Sequence, residues 1–142
     1  MHKRILLVDN SPAQRELIAQ ALAQHVLIDM LEFEQSADSA HAYLEKHARS
    51  ADQRLPDLAL IDLKLNQTSG IDLVRRLRSD RRFAYLPIVV FTTSDDPTDV
   101  QAAYASGANG YVVKPNAFSD LVTLTGDLCR FWLDWNRTPK PC

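Results

Sequence analysis

Cysteine is scarce in this chain. Only Cys129 and Cys142 occur among 142 residues, which excludes a disulfide framework or a cysteine-rich metal site and points to a reducing, cytoplasmic setting. A basic excess is missing too: 16 Lys and Arg stand against 18 Asp and Glu, a formal net charge of -2. Proteins that hold nucleic acid draw on such an excess, so no direct contact with nucleic acid is expected. No apolar run is long enough to span a bilayer. The opening residues MHKRILLVDN pass straight into a short strand with charges close behind, so neither a signal peptide nor a membrane partner is expected. Internal repeats and linkers are absent, and the length suits one domain with no room for a second, catalytic or DNA-binding one.

What the chain does have is 46% hydrophobic residues, enough for a core between two helical layers. The most informative stretch is LALIDLKL, Leu58 to Leu65. Leu58, Ala59, Leu60 and Ile61 do not alternate with polar residues, the pattern of a central parallel strand buried on both faces. Asp62 near its downstream end would be exposed at the carboxyl edge of the sheet, where open α/β folds bind ligands. Aspartate is also a common loop residue, so the stretch alone leaves a capping role open.

Around it, Ile5 to Val8 read as a strand, and Asp9, Asn10, Ser11 and Pro12 as its end and the opening of a helix to about His25, with Ser11 as cap. Leu17, Ile18, Ala21 and Leu22 are its apolar stripe. Val26 to Phe33 suits a strand nearer the edge. Ser36 opens a second helix through about His47, buried through Ala37, Ala40, Tyr43 and Leu44. Residues Ala48 to Pro56 read as a plain loop, and Asn66 to Gly70 as a turn into a third helix, Ile71 to Arg78, with Ile71, Val74 and Leu77 inward. Leu86 to Phe91 is a second doubly buried strand ended by Thr92 and Thr93. Asp95 or Asp96 with Pro97 starts a fourth helix that Gly107 ends. Gly110 to Val113 is a strand ending in Lys114 and Pro115, and a last helix spans roughly Ala117 to Asn136. Strands and helices alternate five times, which predicts one α/β domain built on a five-stranded, doubly wound parallel sheet with five helices, flavodoxin-like with strand order 2-1-3-4-5.

In such a sheet the carboxyl ends of neighbouring strands lie side by side, so Asp9, Asn10, Asp62, Thr92 and Lys114 should converge on one edge. Two carboxylates and an amide oxygen suit a hard cation such as Mg2+. A lysine ammonium and a threonine hydroxyl stabilise phosphoryl oxygens, by charge and by hydrogen bond. Together they suit the transfer of a phosphoryl group onto Asp62 and off again.

These residues resemble the receiver domain of two-component response regulators, from about Ile5 to Trp135. The likeness rests on ILLVDN, on LIDLKL with Gly70 eight positions past Asp62, on IVVFTT and on GYVVKP. It implies that Asp62 accepts phosphate from a histidine kinase or phosphotransfer protein, and that Asp9, Asn10, Asp62 and the backbone carbonyl of Lys64 surround Mg2+, or alternatively Mn2+. Thr92 and Lys114 would engage the phosphoryl group. Tyr111 would either change rotamer as Thr92 moves or simply pack as an edge aromatic against the fourth or fifth helix. On this reading residues 1–137 are the receiver domain and 138–142 a loose tail.

One departure matters. The family normally has a second acid where Asn10 stands, and an amide lacks the full charge, so weakened metal binding is expected. Asn66 replaces a frequent proline and reads as a loop variation of little effect. With nothing beyond the fifth helix, a stand-alone regulator is expected that signals by protein binding or by dimerising through the fourth helix, fifth strand and fifth helix. The ending FWLDW is similar to single-domain regulators of bacterial phytochrome-type kinases. Phe131 and Trp135, four apart, would form an inward-packed stripe, with Trp132 exposed; Tyr111, Phe131, Trp132 and Trp135 are the interface candidates. Three alternatives compete: a pseudo-receiver that binds partners without phosphorylation, a haloacid-dehalogenase-like phosphatase, and a flavodoxin-type FMN carrier. The phosphatase wants a second aspartate two positions past its nucleophile on the first strand, and the FMN carrier wants glycine, serine and threonine density where this chain has NSPAQ.

Overall fold

A computed structural model describes residues 3–25, 31–51 and 54–139. The elements run β1 (Ile5–Val8), α1 (Pro12–Leu22), β2 (Leu31–Glu34), α2 (Ala37–Arg49), β3 (Leu58–Ile61), β4 (Lys64–Leu65), β5 (Thr68–Ser69), α3 (Gly70–Arg78), β6 (Ile88–Thr92), α4 (Pro97–Ser106), β7 (Gly110–Val113) and α5 (Phe118–Cys129). A short 3-10 turn at Arg81–Phe83 follows α3, and α5 continues into a π-helical turn, Arg130–Trp135. The main sheet is β2-β1-β3-β6-β7, parallel throughout. With the small β4–β5 hairpin set aside, that is the order 2-1-3-4-5 expected for a doubly wound sheet.

The absence of alternation in the inner strands has a direct cause. Successive side chains of a strand point to opposite faces, and here each face carries its own core. Leu6, Val8, Ala59, Ile61, Ile88 and Val90 meet α2, α3 and α4 on one side. Ile5, Leu7, Leu58, Leu60, Val89 and Phe91 meet α1 and α5 on the other. A fully buried aliphatic side chain contributes about 1.5–3 kcal/mol, so a polar residue on either face of β3 would be costly.

Helix starts follow their caps. Ser11 accepts from the Gln14 amide at 3.2 Å, Ser36 from Ser39 at 3.1 Å in a capping box, and Asp96, rather than Asp95, from Thr98 at 2.9 Å. Gly107 closes α4 in the left-handed region at φ 111°, a conformation that glycine adopts without cost.

Several expectations need correction. The turn after Asp62 is a two-stranded hairpin, Leu65 facing Thr68 and Lys64 facing Ser69. Helix α1 stops at Leu22, and Leu17 is exposed. In α3 the buried residues are Gly70, Leu73, Val74 and Leu77, with Ile71 only half-buried. The largest error concerns the C-terminal aromatics. Phe131 and Trp135 do share a face, but it is the outer one, 52% and 73% exposed, whereas Trp132 is half-buried against the α1–α5 core and Leu133 is buried. The inward stripe runs Leu121, Thr125, Leu128 and Cys129, and its continuation by three and four residues lands on Trp132 and Leu133. The strand expected to begin at Val26 is seen from Leu31; residues 26–30, two residues of the loop before β3 and the last three of the tail lie outside the described residues.

Candidate functional site

The sheet changes direction of winding at β1, whose neighbours β2 and β3 lie on opposite sides, and the ends of β1 and β3 flank that crevice. The Asp62 amide donates to the Val8 carbonyl at 2.9 Å, carrying the β1–β3 ladder one residue beyond the strand and holding Asp62 beside Asp9. At the other side of β3, the Lys114 amide donates to the Thr92 carbonyl at 2.7 Å, which places Lys114 at the end of β7.

Three side chains meet there. Lys114 Nζ donates to Asp9 Oδ2 at 2.7 Å and to Asp62 Oδ2 at 3.0 Å. Lys114 and Asp9 are 6% and 0% exposed, while the Asp62 side chain keeps 15%, so the inner pair is dry and Asp62 remains within reach of solvent. A buried ammonium or carboxylate is tolerated only when paired and hydrogen-bonded. Both carboxylates are: Asp9 Oδ1 accepts from the Ser11 amide at 2.9 Å, and Asp62 Oδ1 from the Leu63 amide at 2.7 Å. The Phe91 ring, its centroid 5.7 Å from Lys114 Nζ, adds a favourable aromatic face beneath the ammonium.

Gly70 explains its place in the motif. A Cβ there would collide with the carbonyl oxygen of Asp62, so the start of α3 can pack against the Asp62 backbone only because the residue is glycine. The Gly70 amide also donates to the Leu63 carbonyl at 2.7 Å, which folds the β4–β5 hairpin back over the strand end.

Thr92 is buried, and its Oγ1 accepts from the Ser94 amide at 3.4 Å. Ser94 is a junction that the sequence did not single out: its carbonyl accepts from the Tyr111 hydroxyl at 2.8 Å, and its own hydroxyl donates to Asp99 Oδ2 at 2.6 Å. Its only advance signal is a serine just before an Asp-Pro helix start. Burial raises the Tyr111 pKa above its ordinary value against the opposing pull of its hydrogen bond to Ser94, with the carboxylates of Asp99, Asp96 and Asp62 adding to the rise. Tyr111 is half-buried and packs against the α2–α3–α4 core.

Asn10 touches none of the three central side chains through the hydrogen bonds seen; its Nδ2 donates to Asn66 Oδ1 at 3.1 Å. Asn66, expected from the sequence as a loop variation, is thus in contact with the Asn10 side chain. Lys64 lies on the hairpin and, with Asn10, Leu63, Asn66, Ser69 and Asp72, lines an open cleft of about 370 Å3 beside the site. Asp9 and Asp62 supply two carboxylates at this edge, and the Asn10 amide oxygen and the Lys64 carbonyl are the further oxygens expected from the sequence to hold a cation here. Such an all-oxygen set fits Mg2+ or Mn2+.

Comparison with known proteins agrees with this geometry. The family model for the response regulator receiver domain matches residues 5–125. The probable methanogenesis regulatory protein FilR2 of Methanothrix harundinacea is 32% identical over 137 residues, covering 96% of this chain and 88% of that one. Among solved structures, the phosphorylated cyanobacterial phytochrome response regulator RcpA superposes with a TM-score of 0.87 at 30% identity, over 99% of this chain and 100% of that one. The Mn2+-bound form of response regulator Rcp1 does so at 0.81 and 28%, over 97% and 99%. Four strand ends carrying Asp9, Asp62, Thr92 and Lys114 in one parallel sheet, and matches of this extent, have one explanation: the chain belongs to the response regulator receiver domain family.

Proposed function

We propose that Asp62 is the phosphoacceptor of a signalling domain, taking a phosphoryl group from a histidine kinase or phosphotransfer protein and later losing it to water. The observation that carries the reading is the Lys114 ammonium bonded to both Asp9 and Asp62. A carboxylate oxygen of Asp62 attacks phosphorus and forms the new O–P bond, while the bond from phosphorus to the donor breaks and its electron pair leaves with the donor. Lys114 is in place to neutralise charge on the phosphoryl oxygens, and the Thr92 hydroxyl, released from the Ser94 amide, is the hydrogen-bond donor on the β6 side. Asp9, Asn10, Asp62 and the Lys64 carbonyl would hold Mg2+ or Mn2+, which supplies charge neutralisation of the transferring group. Asn10 contributes an amide dipole where a carboxylate would contribute a full charge, so binding is weaker than in an all-acid site. The phosphorylated RcpA and the Mn2+-bound Rcp1 support both halves of the reading.

The response then passes along Thr92, Ser94 and Tyr111 to the face of α4, β7 and α5. A phosphate adds about -1.5 to -2 charges, and drawing the Thr92 hydroxyl toward it competes with the bond from the Ser94 amide, while the Ser94 hydroxyl is bonded to Asp99 in the first turn of α4. Tyr111 follows because its hydroxyl rests on the Ser94 carbonyl. This face, with Phe131 and Trp135 exposed near it, would meet a target protein or a second copy; a phytochrome-type kinase is the proposed donor.

Acetyl phosphate with Mg2+, followed by intact-mass measurement, tests the phosphoacceptor role: one phosphoryl group is expected on the wild-type chain and none on Asp62→Ala. The rival reading, favoured by Asn10 alone, is a pseudo-receiver that binds partners unphosphorylated. No uptake from acetyl phosphate and no beryllium fluoride binding, in a folded wild-type chain, would establish the rival.

A further inference from the structure

Of the proposed cation ligands, Asn10 alone has two different side-chain ends. A carboxylate offers an oxygen whichever way it turns, whereas an amide offers an oxygen one way and an N–H2 donor the other. An N–H2 group facing a cation would repel it, so orientation decides whether Asn10 can be a ligand at all.

The hairpin supplies what fixes that orientation. Asn10 Nδ2 donates to Asn66 Oδ1 at 3.1 Å across 56 residues of sequence. With its nitrogen end taken, Asn10 keeps Oδ1 for a cation. Asn66 sits in the two-residue connection between Leu65 and Thr68, which face each other across the hairpin, at φ 20°. Asparagine tolerates that edge of the left-handed region better than most residues. One residue type thus serves both the hairpin turn and the amide, and the same hairpin carries Lys64.

We propose that Asn66 is a positioning residue for the metal site: it holds the Asn10 amide so that Oδ1 and not Nδ2 faces the cation. The proposal rests on the metal reading given under Proposed function.

The test is Mn2+ titration of the full chain, followed by the electron paramagnetic resonance signal of free Mn2+, on Asn66→Gly in two backgrounds. Glycine keeps the backbone freedom of the turn and removes only the side chain, and thermal melting checks that each variant is folded. In the wild-type background Asn66→Gly is expected to weaken Mn2+ binding about tenfold, and beside Asn10→Asp by less than roughly twofold, because a carboxylate needs no orienting. Asn66→Asp, which can only accept, is expected to hold at least the wild-type affinity. An equal loss in both backgrounds, or no loss with Asn10 present, overturns the proposal while the metal site stands. Failure of the wild-type chain to bind Mn2+ overturns the metal reading, and this proposal with it.

Discussion

Lys114 and Asp9 form a dry ion pair, 2.7 Å between Nζ and Oδ2 with side chains 4% and 1% exposed, and Asp62 shares the same ammonium at its more open side. The chain reserves one positive charge for two carboxylates. Lys114→Met keeps the apolar stem but leaves the Asp9 carboxylate buried without a counter-charge, a change that costs about 3–5 kcal/mol. Urea denaturation is expected to show that loss, with part of it recovered on adding Mg2+, since a divalent cation replaces the missing charge. No recovery by Mg2+ in a variant that is otherwise folded would argue against a cation beside Asp9.

Gly70→Ala is expected to be more harmful than its size suggests. Its Cβ would meet the Asp62 carbonyl, and overpacking of this kind costs about 1–3 kcal/mol. Relief requires the Asp62 backbone or the start of α3 to move, so acetyl phosphate uptake should slow in parallel with the loss of stability. A variant with wild-type stability and wild-type uptake would contradict the close approach.

The two tryptophans should behave in opposite ways. Trp132 packs into the α1–α5 core and meets Phe131 edge-on with ring centroids 4.9 Å apart, so Trp132→Ala should lower stability by a few kcal/mol, about 3 at most for a half-buried ring. Trp135 is 73% exposed, and Trp135→Ala should stay within about 0.5 kcal/mol. Chemical denaturation of the two variants side by side decides the matter. If Trp135 belongs to the proposed contact face, its removal should instead shift the oligomeric state measured by light scattering after beryllium fluoride.

Away from the site, Arg82 bonds Asp80 at 2.7 Å and Glu45 at 2.8 Å, tying the turn after α3 to α2. The Arg82 hydrogen bonds hold the Asp80 carboxyl down to about 2, below its ordinary 3.8. A carboxyl whose pKa is depressed by folding adds stability that is complete above its unfolded value and is lost as pH falls through the folded one. Acid titration should therefore show this contribution disappearing between pH 3.8 and about 2, and Arg82→Ala should return the Asp80 carboxyl resonance toward its ordinary midpoint. An unchanged midpoint in that variant would show that the guanidinium is not its cause.

The fold was legible because burial on both faces writes itself into composition. LALI and IVVF carry the unalternating pattern of inner strands of a covered sheet, and Pro12, Ser36, Asp96 and Gly107 mark helix ends through local backbone chemistry. The outward placement of Phe131 and Trp135 is not legible in the sequence, because a spacing of four defines a shared face without saying which way it points. Only the packing of Leu121, Leu128 and Leu133 against α1 settles that. The β4–β5 hairpin is not legible in the sequence, because two-residue strands carry no periodicity at all.

The sequence by itself determined the alternation of strands and helices and the identity of the carboxylates, hydroxyl and lysine at the strand ends. These follow from local propensity and from the period of apolar residues, which short stretches of chain encode. Tertiary structure alone decided that Lys114 bridges Asp9 and Asp62 over separations of 105 and 52 residues, that Ser94 joins Thr92 to Tyr111, and that Asn66 takes the nitrogen end of Asn10. Those contacts join residues that no single strand or helix contains, and no periodicity within one element carries that information.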